Sequence, residues 1–309
     1  MHFDWSAARA RVYELAWQTP VVPLPGKAGV WAKLENLQRS GSFKIRGALN
    51  RLSALSDEER RRGVVACSSG NHGRAVAEAA CSLALPATVV VPSWADVTKT
   101  EGIRRAGATL VVGGDTYDDA EAHADGLVAS RGLVPIHPFD DARVIEGQGT
   151  LALEILEQCP GVREVIVPLS GGGLVAGIAA ALAGRGIQVT AVSAARAAVM
   201  HRSIEAGAPV SLEEEPTLAS ALAGGIGLQN RHTFELVRRH VGRFLLVGEE
   251  EIAAAIARAG RDLKVVVEGG GAVGLAAVWG GYQPQAPAVV VVSGGNIDVQ
   301  SWTKVMEGP

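Results

Sequence analysis

From Arg61 onward, short runs of β-branched residues alternate with longer alanine-rich stretches, the pattern of strand–helix units around a parallel sheet. The strand runs fall at 63–66, 87–91, 109–112, 134–137, 165–169, 188–192, 243–247 and 288–292. Most are continuously apolar rather than alternating, which predicts strands covered on both faces. Helical spacing occupies the intervals, at 75–83, 99–105, 117–129, 149–158, 174–183, 233–240, 250–262 and 272–279. Glu249, Glu250 and Glu251 sit where a helix would begin, and negative charge there suits the helix dipole. No fixed-period repeat or low-complexity linker breaks the series. Two domains, if present, are expected to be intertwined, with no boundary legible in composition.

Two stretches, 165–184 and 269–297, lack charged side chains and are long enough to cross a bilayer. The first contains Pro168 and the turn Ser170-Gly171-Gly172-Gly173; the second contains Gly269 to Gly271, Gly280, Gly281, Pro284 and Pro287. A lipid-exposed helix would break at each of these points. Both therefore read as combinations of buried strand, glycine turn and helix, and no membrane partner is expected.

Composition narrows the function. The 309 residues are 48% apolar and 20% charged, which excludes disorder and suits one or two domains. A net charge of −3 lacks the cationic footprint of a phosphate-backbone binder, so nucleic acid is not an expected partner. Cys67, Cys81 and Cys159 are widely separated, suggesting neither a disulfide framework nor a zinc knuckle. Asp4, Arg9, Arg11 and Glu14 interrupt any apolar leader, so a cytoplasmic location is the expectation. Glycine stands out at 38 of 309 residues, well above the usual ~7%, and calls for a local explanation.

Three glycine-rich segments each sit between an expected strand and an expected helix: Ser68-Ser69-Gly70-Asn71-His72-Gly73, Ser170-Gly171-Gly172-Gly173-Leu174 and Gly269-Gly270-Gly271-Ala272-Val273-Gly274. A helix start with unpaired N–H groups and no side chains in the way can hold an anion, although glycine also serves to pack a strand close to a helix. Gly269, Gly271 and Gly274 match a dinucleotide-binding spacing, but the next strand ends in Ser293-Gly294-Gly295, without the acidic residue that would hold a ribose. That segment is read as packing. No Walker lysine, HExxH pair or G-x-S-x-G elbow occurs. What remains is Lys44, in the largely apolar and small-residue stretch Gly41-Ser42-Phe43-Lys44-Ile45-Arg46-Gly47-Ala48. A solvated helix lysine would look the same; a desolvated one would have the lowered pKa that suits Schiff-base chemistry.

Together Ser42 to Ala48, Ser68 to Gly73, Gly147-Gln148-Gly149-Thr150, Ser170 to Leu174 and Ser293-Gly294-Gly295-Asn296 resemble the threonine/serine dehydratase and serine racemase family of pyridoxal-phosphate enzymes. The likeness runs from about Thr19 to Asp298. It implies an α/β protein of fold type II with two mainly parallel sheets: a large domain from 1–50 and 138–309, and a small domain at 51–137. By the resemblance, Lys44 holds pyridoxal 5'-phosphate as an internal aldimine and then removes the substrate α-proton. Phe43 packs near the ring, Asn71 bonds the ring hydroxyl, and Ser170, Gly171, Gly172, Gly173 and Leu174 cradle the phosphate. Ser293 faces the ring nitrogen; a neutral hydroxyl there favours elimination over a long-lived carbanion. Ser68, Asn71 and the backbone at His72 hold the substrate carboxylate. Ser69 matches the opposite-face acid/base of the racemases, or else adds a second carboxylate contact.

The implied reaction is loss of water from a β-hydroxy-α-amino acid such as threonine, serine or phenylserine, giving a 2-oxo acid and ammonia. A homo-oligomer, with a dimer favoured, fits the family. The segment from Pro216-Thr217-Leu218 to Asn230-Arg231 resembles the branch linked to hydroxyectoine utilisation, which points to an unusual or bulky substrate. Ser193 and Val199 stand where metal-dependent members carry acids, so no family-type metal site is expected. Ser170 replaces a usual glycine, and Ala219-Ser220-Ala221 replaces a common Ala-Asp-Gly. Because the chain stops at Pro309, no regulatory domain or isoleucine feedback is expected. Cysteine-synthase-like β-replacement is disfavoured by Ile45 and His72, and a silent amino-acid sensor by retention of Lys44, Ser293 and the phosphate turn.

Overall fold

The structure, a computed structural model, describes residues 1–95 and 97–308, with the side chains of 97–99 left undescribed. Among the described residues ten strands form two sheets: β1 Val21–Pro23, β2 Val30–Leu34, β3 Val64–Cys67, β4 Ala87–Val91, β5 Thr109–Val112, β6 Val134–Pro135, β7 Glu164–Pro168, β8 Gln188–Ala194, β9 Arg243–Val247 and β10 Ala288–Val292. The larger sheet has the order β1-β2-β10-β7-β8-β9, and the smaller β5-β4-β3-β6. Only β1 runs antiparallel, against β2; every other pairing is parallel. The smaller sheet is continuous in sequence, whereas the larger one takes strands from both ends of the chain.

Each sheet changes direction once. The chain builds β7, β8 and β9 outward, then returns to lay β10 on the other side of β7. In the smaller sheet β3, β4 and β5 run one way and β6 returns beside β3. Crevices outside the carboxyl ends of strands at such reversals are where open α/β sheets hold ligands. The three segments beginning at Ser68, Ser170 and Ser293 follow β3, β7 and β10 and so lie at these reversals.

β7 and β10 are buried at all five positions; β10 is apolar throughout, as predicted, whereas β7 begins one residue earlier than expected, at a buried Glu164. That expectation fails at the edges: β5 and β9 are largely solvent-facing because each has a neighbour on one side only. Apolar clusters fill both faces of the larger sheet, and a third joins Ile45 and Leu49 to Val64, Val76 and Ala79. Local chemistry starts several helices. Thr116 and Asp119 form a reciprocal capping box for Tyr117–Arg131, and Asp141 accepts from the Arg143 and Val144 N–H groups at the start of Ala142–Gln158.

Other boundaries differ from expectation. The helix expected at 75–83 begins at Asn71, and the one expected at 149–158 begins at Ala142, because glycines 73, 147 and 149 are helical rather than breaking. The helix expected through residue 262 ends at Arg258 and continues as one π-turn. No strand precedes Gly269; residues 264–268 have no regular structure and no ladder partner, and Lys264 is left-handed at φ +60°.

Candidate active site

Lys44 opens the helix Lys44–Ser53, and the residues before it are tied to the end of β10. The Phe43 N–H donates to the Ser293 carbonyl at 3.0 Å, and Ser42 bridges Gly294. Lys44 is half-buried, and its Nζ donates to the Pro138 carbonyl at 2.6 Å. Burial lowers its pKa to about 8, partly opposed by the Glu268 carboxylate. The amine is thus far easier to deprotonate than an exposed lysine, as Schiff-base and proton-transfer chemistry require.

The turn after β7 leads into the helix Gly173–Leu182. Gly172 has φ +88°, a left-handed conformation that favours glycine. A Cβ on Gly171 would enter the Phe139 ring, and one on Gly173 would meet the Phe139 backbone at 3.0 Å. The first backbone bond of this helix runs from the Ala176 N–H to the Gly172 carbonyl at 2.7 Å. The N–H groups ahead of it, from Gly171 to Leu174, can therefore converge on an anion. Ser170, where a glycine would be usual, donates its hydroxyl to the Leu222 carbonyl at 2.8 Å and pins this turn to the segment beside it.

Among the described residues, buried Ser293 has only a long contact to the Gly270 carbonyl, 3.5 Å, so its hydroxyl is left for another partner. Ala221 lies against Gly270, its Cβ 3.2 Å from where a Gly270 Cβ would be, which places the departure at 219–221 at this end of the site.

The turn after β3 supplies the remaining wall. Ser68, Ser69 and Asn71 are half-buried, and a side chain at Gly70 would meet only open space. The Ser68 hydroxyl accepts from the Gly70 N–H at 3.2 Å. Asn71 donates from Nδ2 to Glu268 at 2.6 Å and accepts at Oδ1 from Asn296 at 2.6 Å. His72 is buried and donates from Nε2 to the Ile136 carbonyl at 2.8 Å. Burial, reinforced by the charge of Lys44, lowers its pKa to about 3, so the ring is neutral and only its backbone is offered to a ligand.

These residues fit pyridoxal phosphate: a side-chain-free cradle at a helix start, a low-pKa lysine, and a hydroxyl with spare capacity. Several neighbours had no role assigned from the sequence. Glu268 is the only charged residue between 265 and 297, a legible signal; Pro138 and Phe139 offered none, because their part is a carbonyl and a packing surface. Gly269 to Gly274 serve contact rather than binding, since a Cβ on Gly269 or Gly271 would strike backbone at Leu218 or Gly294. Ser193 donates its hydroxyl to the Leu169 carbonyl at 2.9 Å, and no cluster of three His, Cys, Asp or Glu able to hold a metal occurs among the described residues. No described helix is long and apolar enough to cross a membrane.

Comparison with known proteins bears on the family and the fold. The family model described as "Pyridoxal-phosphate dependent enzyme" matches residues 12–294. The L-threonine ammonia-lyase of Thermotoga maritima is 42% identical over 280 residues, covering 90% of this chain and 69% of that one. The catabolic L-threonine dehydratase of Escherichia coli is 39% identical over 285 residues, covering 90% and 86%. The structure of maize serine racemase superposes with a TM-score of 0.90 at 35% identity, covering 98% of this chain and 95% of that one. The two-sheet arrangement is the expected fold type II. With a family match across most of its length and relatives aligned over nine-tenths of it, this chain belongs to the family of pyridoxal-phosphate-dependent enzymes.

Proposed function

We propose that the protein is a dehydratase that removes water from a β-hydroxy-α-amino acid, releasing a 2-oxo acid and ammonia. The observation that carries this reading is the pairing of a base-ready Lys44, with its pKa lowered to about 8, and a neutral hydroxyl, Ser293, across the same crevice. When bound, the cofactor supplies a Schiff-base link to the substrate nitrogen and an electron-withdrawing ring. The N–H groups from Gly171 to Leu174 would hold its phosphate, Phe43 would pack beside the ring, Asn71 would donate to the ring oxygen, and Ser293 would meet the ring nitrogen. With a neutral hydroxyl rather than a carboxylate at that nitrogen, negative charge at the α-carbon would not be stored for long, which would favour departure of a β-hydroxyl.

The substrate carboxylate sits against Ser68, Asn71 and the His72 backbone, where an α-helix begins and its N–H groups favour an anion. Lys44 takes the α-proton. Ser69 provides either a second carboxylate contact or a proton on the opposite face. Loss of water gives an enamine, which on release tautomerises to an imine by taking a proton at the β-carbon and is hydrolysed by water to the 2-oxo acid and ammonia. Residues 1–50 and 138–309 act as the large domain and 51–137 as the small one, with the crevice between them. A homo-oligomer, most simply a dimer, in the cytoplasm is the proposed working form.

The test is a panel of β-hydroxy amino acids, including threonine, serine and phenylserine, assayed for 2-oxo acid and ammonia. Turnover supports the reading, and its substrate profile decides between a common and a bulky side chain. A yellow, borohydride-quenchable protein that turns over none of them overturns it. Lys44→Ala is expected to lose lysine-linked absorbance and at least about a hundredfold in rate.

A further inference from the structure

Asn296 closes the segment Ser293-Gly294-Gly295-Asn296 and makes three hydrogen bonds, each with a partner of fixed polarity or one set by Asn296 itself. Arg74 can only donate, and it gives Nη1–H to Asn296 Oδ1 at 2.9 Å. The Ser40 carbonyl can only accept, and it receives Asn296 Nδ2–H at 2.8 Å. The two together leave one orientation for the Asn296 amide. Its nitrogen therefore faces Asn71 Oδ1, 2.6 Å away, which leaves one orientation for Asn71 as well. Asn71 Nδ2 then points to the Glu268 carboxylate, again a group suited to accept, at 2.6 Å.

Asparagine carries two N–H donors on that nitrogen. One is taken by Glu268, and the second remains for a ligand in the crevice. The position of Asn296 is built into the backbone. Gly41, at φ +77°, lies where a Cβ would overlap the Asn296 amide, and the Gly295 N–H donates to the Gly41 carbonyl at 2.9 Å.

We propose that Asn296 is a positioning residue that holds the Asn71 amide with its donor side toward the cofactor ring oxygen. The inference rests on the proposed role of Asn71 at that oxygen and adds the device that orients it. The relay also crosses between the two sheets. Asn71 and Arg74 belong to the helix that follows β3, whereas Ser40, Glu268 and Asn296 flank strands of the larger sheet. An interdomain tie alone would be a merely structural role, so the variants must separate tie from orientation.

Asn296→Asp does so, because a carboxylate still accepts from Arg74 but can donate neither to Ser40 nor to Asn71. Arg74→Met removes one of the bonds between the two sheets and leaves the Ser40 carbonyl to orient Asn296. Each variant is loaded with pyridoxal phosphate, and two quantities are read: cofactor affinity and the pH dependence of the visible absorbance. For Asn296→Asp the expected results are an affinity roughly tenfold weaker, the size of one lost hydrogen bond to a charged group, and a shifted absorbance midpoint. Arg74→Met is expected to keep the wild-type midpoint. Asn71→Ala sets the full effect, and combining it with Asn296→Asp is expected to add nothing further.

A wild-type midpoint and affinity in Asn296→Asp overturn the inference, as does additivity with Asn71→Ala or an equal shift in Arg74→Met. Should Asn296→Asp fail to fold, Asn296→Ala is read by the same criteria. If Asn71→Ala itself leaves both quantities unchanged, it is the role of Asn71, and not merely its orientation by Asn296, that fails.

Discussion

Lys44 combines a functional need with a folding cost. Its amine titrates near 8 in the folded protein and near 10.5 when exposed, so between those values the unfolded chain binds more protons. Stability of the cofactor-free protein is therefore penalised in full below about pH 8, and the penalty is lifted as pH rises toward about 10.5. Lys44→Met is expected to be more stable than wild type below pH 8, with the difference shrinking across that window, as read from urea midpoints. A difference independent of pH would contradict the burial argument. At Gly172 the issue is conformation: alanine at φ +88° costs about 1–2 kcal/mol and brings Cβ within 2.9 Å of Met200 Cε. Lys44 was legible as a lone lysine among small and apolar neighbours, but its desolvation was not, because the groups that enclose it come from residues 138, 268 and 293.

Among the elements, Ala142–Gln158 is the spine of the site. Its Gly147 lies against the lysine helix, where a Cβ would come within 2.8 Å of Gly47 Cα. Two residues on, and so on the opposite side of the helix, Gly149 faces the phosphate-turn helix, where a Cβ on Gly177 would come within 2.6 Å of the Gly149 N. The Gly-Gln-Gly-Thr segment therefore sets the spacing between Lys44 and the phosphate cradle by letting three helices touch at backbone distance. Gly177→Ala is expected to lose about 1–3 kcal/mol through overpacking. It is also expected to weaken cofactor binding with Lys44 intact; thermal melts and cofactor titration check the two effects separately. The strands and most helices after residue 62 followed from hydrophobic pattern, but the helices Val199–Ala206 and Val299–Glu307 did not, and the first 62 residues gave no such reading, since β1 has three residues and Lys44–Ser53 carries charge on a buried face. The starts at Asn71 and Ala142 were missed because glycine normally argues against a helix, and here tight packing requires it.

The whole molecule is tied together by charge placed where none is expected. Lys33, Glu35, Arg46 and Glu154 are all fully buried, two positive and two negative. Arg46 reaches Glu35 at 2.7 Å and Glu154 at 2.6 Å, and Lys33 reaches Glu154 at 2.5 Å. Burial works against the Glu35 carboxylate, yet the Arg46 guanidinium outweighs it and holds Glu35 below the usual carboxylate range. Tyr13 donates to Glu154 as well, so the cluster joins the N-terminal segment, β2, the lysine helix and the spine helix. Glu154→Gln leaves two buried cations facing one carboxylate and is expected to cost about 3–5 kcal/mol, measured by chemical denaturation. A loss under about 1 kcal/mol would show that Lys33 is relieved by deprotonation or water.

The sequence by itself determined the parallel α/β class, the order of strands after residue 61 and, by the company of its motifs, the family. These depend on local pattern: apolar runs, glycine turns, and a lysine beside a serine and a phenylalanine. The resemblance had already gathered Lys44, Asn71, Ser170 to Leu174 and Ser293 around one cofactor; only the tertiary structure added Pro138, Phe139, Glu268 and Asn296. The reversals at β3/β6 and β7/β10 bring residues 44, 71, 170–174, 268, 293 and 296 to one crevice, and no spacing along the chain encodes that meeting. The polarity of the Asn71–Asn296 relay and the neutrality of the buried charge cluster are likewise properties of neighbours in space. Hydrogen bonds and ion pairs act over a few ångströms, whatever number of residues lies between their partners.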